Sequence, residues 1–254
     1  MTGWEHVAVF FGGMAAGAMN AVVGAGSLIT FPLLLALGYP PVVANVSNTV
    51  GLIPGSVSGA LGYHRELEGQ KSRLVRLCTA GCLGGLTGGL ILLAMPSRVF
   101  EGVVAYLIGL ACVLVLLQPR VSRWLERRSP RPNGEPREVG PALLAGIYAS
   151  GIYGGYFGAA QGVLLLGLLG IGLNEHIQRA NAAKNVIAAG INLVPAILFI
   201  VVADVSWPVA LLLGAGAVIG GQIGARVGRR LPAPVLRGVA LAIGVVAIVR
   251  ILAG

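Results

Sequence analysis

Long apolar runs, interrupted twice by glycine-rich joints, constrain this chain more than any single motif. Apolar stretches occupy about 6–23, 27–38, 42–62, 74–95 and 99–118 in the first half. The second half repeats the plan at 140–159, 162–173, 178–203, 207–228 and 233–252. A helix needs roughly 20 residues to cross a bilayer, so the stretches of about a dozen residues at 27–38 and 162–173 cannot span one alone. The composition fits that reading, with 56% hydrophobic and 11% charged residues. A water-facing surface needs roughly a quarter of its residues charged, which excludes a soluble globular protein. The expected fold is an all-α polytopic membrane protein of about eight to ten membrane segments, including two short half-helices.

The net charge of +9 could suggest a nucleic-acid partner. The basic residues, however, lie between apolar segments without interleaved aromatics, and read as topology determinants facing an anionic leaflet. No Lys or Arg precedes Arg65, so the basic start of a cleavable signal peptide is missing and the first apolar stretch is expected to remain in the mature chain. Cys78, Cys82 and Cys112 sit inside apolar segments and read as packing thiols.

Residues 119–138 hold Arg120, Arg123, Arg127, Arg128, Arg131 and Arg137 with three glutamates and four prolines. This composition marks a cytoplasmic linker between a first half at 1–118 and a second at 139–254. The run from Ala44 to Val50, containing Asn45 and Asn48, aligns with Ala180 to Val186, containing Asn181, Lys184 and Asn185, at a shift of 136 that also carries Gly26 onto Gly162. Basic clusters at 65–76, at the linker and at 226–237 should all be cytoplasmic. Each half then makes an odd number of net crossings, whether its short stretch is re-entrant or crosses, and the halves form an inverted repeat with both termini outside the cytoplasm.

Breaks in apolar segments leave backbone amides that hydrocarbon cannot satisfy, so they survive where they line a cavity. The joints at Gly24, Gly26 and Ser27 and at Gly158, Gln161 and Gly162 would each open a helix whose first amides favour an anion. Glycine spacing such as Gly13 with Gly17 reads instead as close helix packing. Asn45, Asn48 and Thr49, with Asn181, Lys184 and Asn185, gather at the starts of two long helices, as helix caps or as site residues. Lys184 opens a long apolar run, where a lysine must snorkel, pair or serve a ligand; it is the expected substrate-neutralising charge. Only Glu5, Glu101, Glu175 and Asp204 lie near apolar segments, each close to an end, which leaves no obvious proton carrier. His64 reads as interfacial, and His176 with Arg179 as a solvated loop or a gate. Nothing resembles a nucleotide-binding loop, a nucleophilic triad or a metal cluster, so no enzyme activity, cofactor or metal is expected.

The Gly-Ala-Gly-Ser-Leu-Ile-Thr-Phe-Pro run within 24–38, the Pro40-Pro41 to Thr49 run, the Ala-Asn-Ala-Ala-Lys-Asn echo and Asp204 to Trp207 together resemble the sulfite exporter TauE/SafE family of membrane permeases. The resemblance covers essentially the whole chain. It implies secondary transport of small sulfur-containing or carboxylated anions such as sulfite, sulfoacetate or thiosulfate across the bacterial inner membrane, by export with proton coupling. Uptake by the same fold and a scaffold without transport are the rival readings. The expected partners are a small anionic substrate and the lipid bilayer, with no nucleic acid; self-association as a homo-oligomer stays open.

Overall fold

A computed structural model describes residues 3–127, 139–173, 175–227 and 233–253. The basic residues at 128–138, Arg229 and Arg230, and the side chain of His64, lie outside what it describes. Among the described residues the chain is helical throughout, with ten α-helices: α1 Gly3–Val22, α2 Ser27–Ala36, α3 Pro41–Gly62, α4 Lys71–Ala94, α5 Ser97–Arg127, α6 Pro141–Tyr156, α7 Gln161–Gly172, α8 Ile177–Val202, α9 Trp207–Val227 and α10 Ala233–Ala253. A short 3-10 turn, His64–Leu67, precedes α4.

Four helices, α4, α5, α8 and α9, are long and apolar enough to cross a membrane. Their outward side chains are apolar, as on Tyr106, Val201 and Leu211, whereas Thr30, Asn45, Asn48, Gln161, Lys184 and Asn185 are buried. That inversion of a soluble protein's distribution places lipid outside and polar chemistry within. Helix α5 runs to Arg127 through Pro119, so the arginine-rich segment begins as helix. Its proline is accommodated within the helix rather than ending it.

The short helices fold back on their predecessors. A methyl on Gly26 would strike the Ala16 carbonyl, and one on Gly12, farther back in α1, would meet Leu33, farther along α2. In the second half Gly154 faces Gln161, Gly146 faces Leu168, and Gly172 faces Leu143. Both series run antiparallel, so α1–α2 and α6–α7 are helical hairpins. At about 15 Å and 18 Å, α2 and α7 reach only partway through a bilayer core.

The expected register of the repeat needs one correction. Val23 and Gly24 donate their amides to Met19 O, and Phe157 and Gly158 donate theirs to Tyr153 O, a shift of 134. Gly24 therefore corresponds to Gly158 and Gly26 to Ala160, not to Gly162. Because α7 is two residues longer than α2, the shift becomes 136 from α3 and α8 onward.

Packing does not follow the halves. Helix α1 lies on α9, and α6 lies on α4; α3 packs on α9 as α8 packs on α4. Methyls on Gly13 and Gly17 would meet the Leu213 and Ala217 backbone, and Gly84 and Gly88 meet the Tyr148 and Ile152 carbonyls. The glycines expected to serve helix packing do so, at backbone-to-backbone approach. Two packed groups result, one on α1, α3 and α9 and the other on α4, α6 and α8, each drawn from both sequence halves and joined where α3 packs on α8.

Candidate functional site

The tips of the two hairpins meet. Gly24 and Gly158 occupy left-handed backbone, with φ of 81° and 76°, a region open to glycine without a Cβ penalty. The Gly162 amide donates to Gly24 O at 3.0 Å, and a Cβ on either Gly24 or Gly162 would overlap the other's Cα. Phe157, within the second tip, packs edge-on against Phe31 of α2 at 5.1 Å between ring centroids, and Phe31 packs in turn on Phe100 of α5.

Two adjoining cavities flank this contact. One, of about 20 Å³, is lined by Asn20, Gly24, Ser27, Thr49, Gln161, Gly162 and Asn192 among others. Its neighbour, about 10 Å³, shares Asn20, Gly24, Gly162 and Ala188 and adds Ser56, Lys184 and Asn185. Each has room for about one water.

Lys184 is 1% exposed. Its Nζ lies 3.5 Å from both Asn20 O and Ala21 O in the last turn of α1, where the helix dipole is negative. Among the described residues no carboxylate forms an ion pair with it. Asn185 Nδ2 also approaches Ala21 O, at 3.4 Å, as does Asn181 Nδ2 at 3.5 Å. A single carbonyl at the end of α1 thus gathers three donors from α8.

The expected residues divide in their placement. Gly24, Ser27, Thr49, Gly158, Gln161, Gly162, Lys184 and Asn185 line the two cavities. Asn45 instead donates to Tyr156 O at 2.9 Å, tying α3 to the end of α6, while Asn48 accepts from Thr30 Oγ1 and pins α2 to α3. Neither lines either of these two cavities, and both lie within α3 rather than capping it. Gly26 is a packing residue beneath Ala16. Asn181 lines a separate cavity toward the arginine-rich face. The amides expected to face an anion are largely engaged: Gln161 donates to Gly158 O, Gly162 to Gly24 O and Val163 to Ala160 O, while Leu28 and Ile29 donate to Ala25 O and Gly26 O.

Asn20, Ser56 and Asn192 were not among the expected site residues. Asn20 lines both cavities and donates to Ser56 Oγ at 3.2 Å. The repeat itself carried a signal, because the 136-residue shift pairs Thr49 with Asn185, Leu52 with Ala188 and Ser56 with Asn192, and all six line the cavities.

The chain's identity follows from its similarity to known proteins as well as from this geometry. The profile described as Sulfite exporter TauE/SafE matches residues 9–251. The chain belongs to the sulfite exporter TauE/SafE family. Its relatives include a Sinorhizobium protein named Probable membrane transporter protein ORF9, 25% identical over 96% of this chain and 91% of its own length. An Escherichia coli K12 protein named Probable membrane transporter protein YfcA is 27% identical over 90% of this chain and 84% of its own. A Haemophilus influenzae protein named Probable membrane transporter protein is 26% identical over 86% and 83%. No solved structure matches the chain. This TauE/SafE protein is accordingly a multi-pass membrane transporter.

On the arginine-rich face the transporter carries an ion-pair cluster. Glu175, in the α7–α8 connection, accepts from Arg73 at 2.6 Å and from Arg179 at 2.8 Å, and Arg179 donates to Glu68 O at 3.1 Å. His176 is the residue before α8, and Arg179 belongs to this cluster rather than to a solvated loop. Burial alone would raise the Glu175 carboxyl, but hydrogen bonds and charge from Arg73 and Arg179 outweigh it and hold the group below the usual carboxylate range. A carboxyl depressed in the native state contributes stability that is complete above its unfolded pKa and is lost as pH falls through the native value. Acidification through the ordinary carboxylate range should therefore lower the thermal midpoint of the purified transporter. Glu175→Gln should lower that midpoint by a few degrees at neutral pH and flatten its acid limb. Identical pH profiles for the two proteins would deny the cluster any stabilising part.

Proposed function

We propose that this transporter moves small sulfur-containing or carboxylated anions such as sulfite, sulfoacetate or thiosulfate across the bacterial inner membrane, as a secondary exporter. The observation that carries this reading is Lys184, a buried cation lining a polar cavity beside the hairpin tips with no carboxylate partner among the described residues. Uncompensated charge at such depth is expensive and is relieved by a counter-ion. Asn20, Ser56, Asn185 and Asn192 supply hydrogen-bond donors around it, and Gln161 and Thr49 complete the polar wall. A scaffold whose lysine merely snorkels would leave Lys184 at the surface; its burial speaks against that reading.

The hairpins suit one topology. If each returns to its own face without a net crossing, and if α3 and α10, at 22 and 21 residues, cross beside α4, α5, α8 and α9, each half makes three crossings. The halves are then inverted and the basic segments at 65–76, 119–138 and 226–237 share the cytoplasmic face. The packing supports one refinement: the moving units of alternating access are the two mixed bodies, α1, α3 and α9 against α4, α6 and α8, rather than the two sequence halves. Lys184 is the one titratable side chain lining either inner cavity. Proton coupling therefore runs through Lys184 or through a proton carried by the anion.

Counterflow in proteoliposomes with labelled sulfite, sulfoacetate, thiosulfate and acetate, with and without a pH gradient, tests this reading. Exchange of at least one sulfur anion, accelerated by the gradient, is expected. Exchange of none of the four would overturn the substrate class.

A further inference from the structure

The largest of the polar cavities described here, about 110 Å³, is not at the hairpin tips but between α5 and α8, toward the arginine-rich face. Gln118 and Ser122 of α5 face Gln178 and Asn181 of α8 across it, with Val22 at its floor. The volume suffices for several waters or one small oxyanion. No charged side chain lines it, yet Gln118 is only 5% exposed, and its Oε1 has no hydrogen-bond partner. Asn181 Oδ1 on the opposite wall is likewise without a partner. Both unpartnered atoms are acceptors as they stand, so an anion is received here only when a carboxamide turns its N–H groups toward the cavity.

Carboxamides suit an anion here. Gln118 Nε2 donates to Ser122 Oγ at 3.0 Å; a half-turn of the amide keeps that bond, with the hydroxyl now donating, and presents Nε2 to the cavity. Asn181 can also turn, at the cost of setting its oxygen near Ala21 O in place of the 3.5 Å amide contact. The same carbonyl receives Lys184 and Asn185 from the inner side. Asn181 thus stands between the wider cavity and the narrow ones, one helical turn from the buried charge. Helix α5 continues beyond the cavity into Arg123 and Arg127, a positive field that raises local anion concentration.

We propose that Gln118, Ser122, Gln178 and Asn181 form a second, weaker site for a small oxyanion, a vestibule in which the transported anion waits on the arginine-rich side before passing Asn181 to Lys184. A site of neutral donors releases its guest readily, whereas one with a fixed cation retains it, so affinity rises inward along the route. The vestibule rests on the transport reading for its role but not for its existence, and its test is separable from that reading.

The test uses Ser122→Cys in full-length protein with Cys78, Cys82 and Cys112 replaced by alanine, alkylated by a neutral iodoacetamide in detergent. Sulfoacetate serves as the probe because, unlike sulfite, it does not consume thiol reagents. At about ten times its Kd, sulfoacetate should slow alkylation about tenfold, by simple occupancy. The protection should persist when Lys184→Met is added, and disappear when Gln118→Leu is added. Undiminished alkylation would overturn the vestibule, as would protection by sodium chloride alone at equal ionic strength, which would mark a site for simple salt ions. Protection lost with Lys184→Met would assign it to the inner site and remove the second one. Normal alkylation protection together with transport unaffected by Lys184→Met would leave the vestibule standing and remove the inner site.

Discussion

Replacing Lys184 by methionine should strongly weaken anion binding at the inner cavities while leaving the transporter at least as stable as before. The side chain is 1% exposed, and its ammonium has for company the Asn20 and Ala21 carbonyls at 3.5 Å. These contacts are long for hydrogen bonds and offset little of the cost of holding a charge away from water. A bound anion would supply the missing compensation. Hydrogen bonds to charged groups contribute about 1.5–3 kcal/mol each, so losing the ammonium should weaken binding by about 10- to 100-fold. Methionine keeps the length and fills the space while removing an uncompensated charge, so the thermal midpoint in detergent should hold or rise. Lys184→Ala should show the same loss of binding with some loss of packing. Titration calorimetry with sulfite and sulfoacetate, beside thermal unfolding of the same preparations, separates the two quantities. Wild-type affinity in Lys184→Met would remove the lysine from the site.

Gly162→Ala should cost both stability and transport, because the added methyl falls on the contact between the two hairpin tips. Its Cβ would overlap the Cα of Gly24 and stand 3.0 Å from Gly24 O, and neither neighbour is a flexible side chain able to yield. Overpacking of this kind costs about 1–3 kcal/mol, occasionally more, and here it would also stretch the bond from the Gly162 amide to Gly24 O. The thermal midpoint should fall by several degrees, and transport should be lost even in protein that still folds, because the cavities are defined by the meeting of the tips. Gly102→Ala is the control, since nothing lies within 4 Å of a Cβ there and alanine favours a helix by roughly 0.5–1 kcal/mol over glycine. Full transport by Gly162→Ala would show that the tips need not touch.

Much of this arrangement was legible beforehand because membrane physics is strict about length. Stretches of a dozen apolar residues after glycine joints have few uses in a bilayer, and the structure makes half-helices of both. Lys184 was legible for the same reason, since a lysine deep in an apolar run demands an explanation. Asn45 and Asn48 were misplaced because residue type and helix face cannot reveal which neighbour will take a carboxamide; Tyr156 O and Thr30 take theirs. Asn20, Ser56 and Asn192 went unnoticed as isolated polar residues in apolar helices, although the repeat shift linked the last two. The exchange of helices between halves was invisible, because glycine stripes advertise close approach without naming the partner.

That exchange bears on how the chain is made. Helix α4 leaves the ribosome well before α6, yet Gly84 and Gly88 find their matching surface only on α6, and α1 must await α9. The early half therefore resides in lipid with its narrowest faces uncovered until the late half has been inserted. Two separately synthesised half-chains that encounter each other in one bilayer should therefore complete each other as the joined protein does.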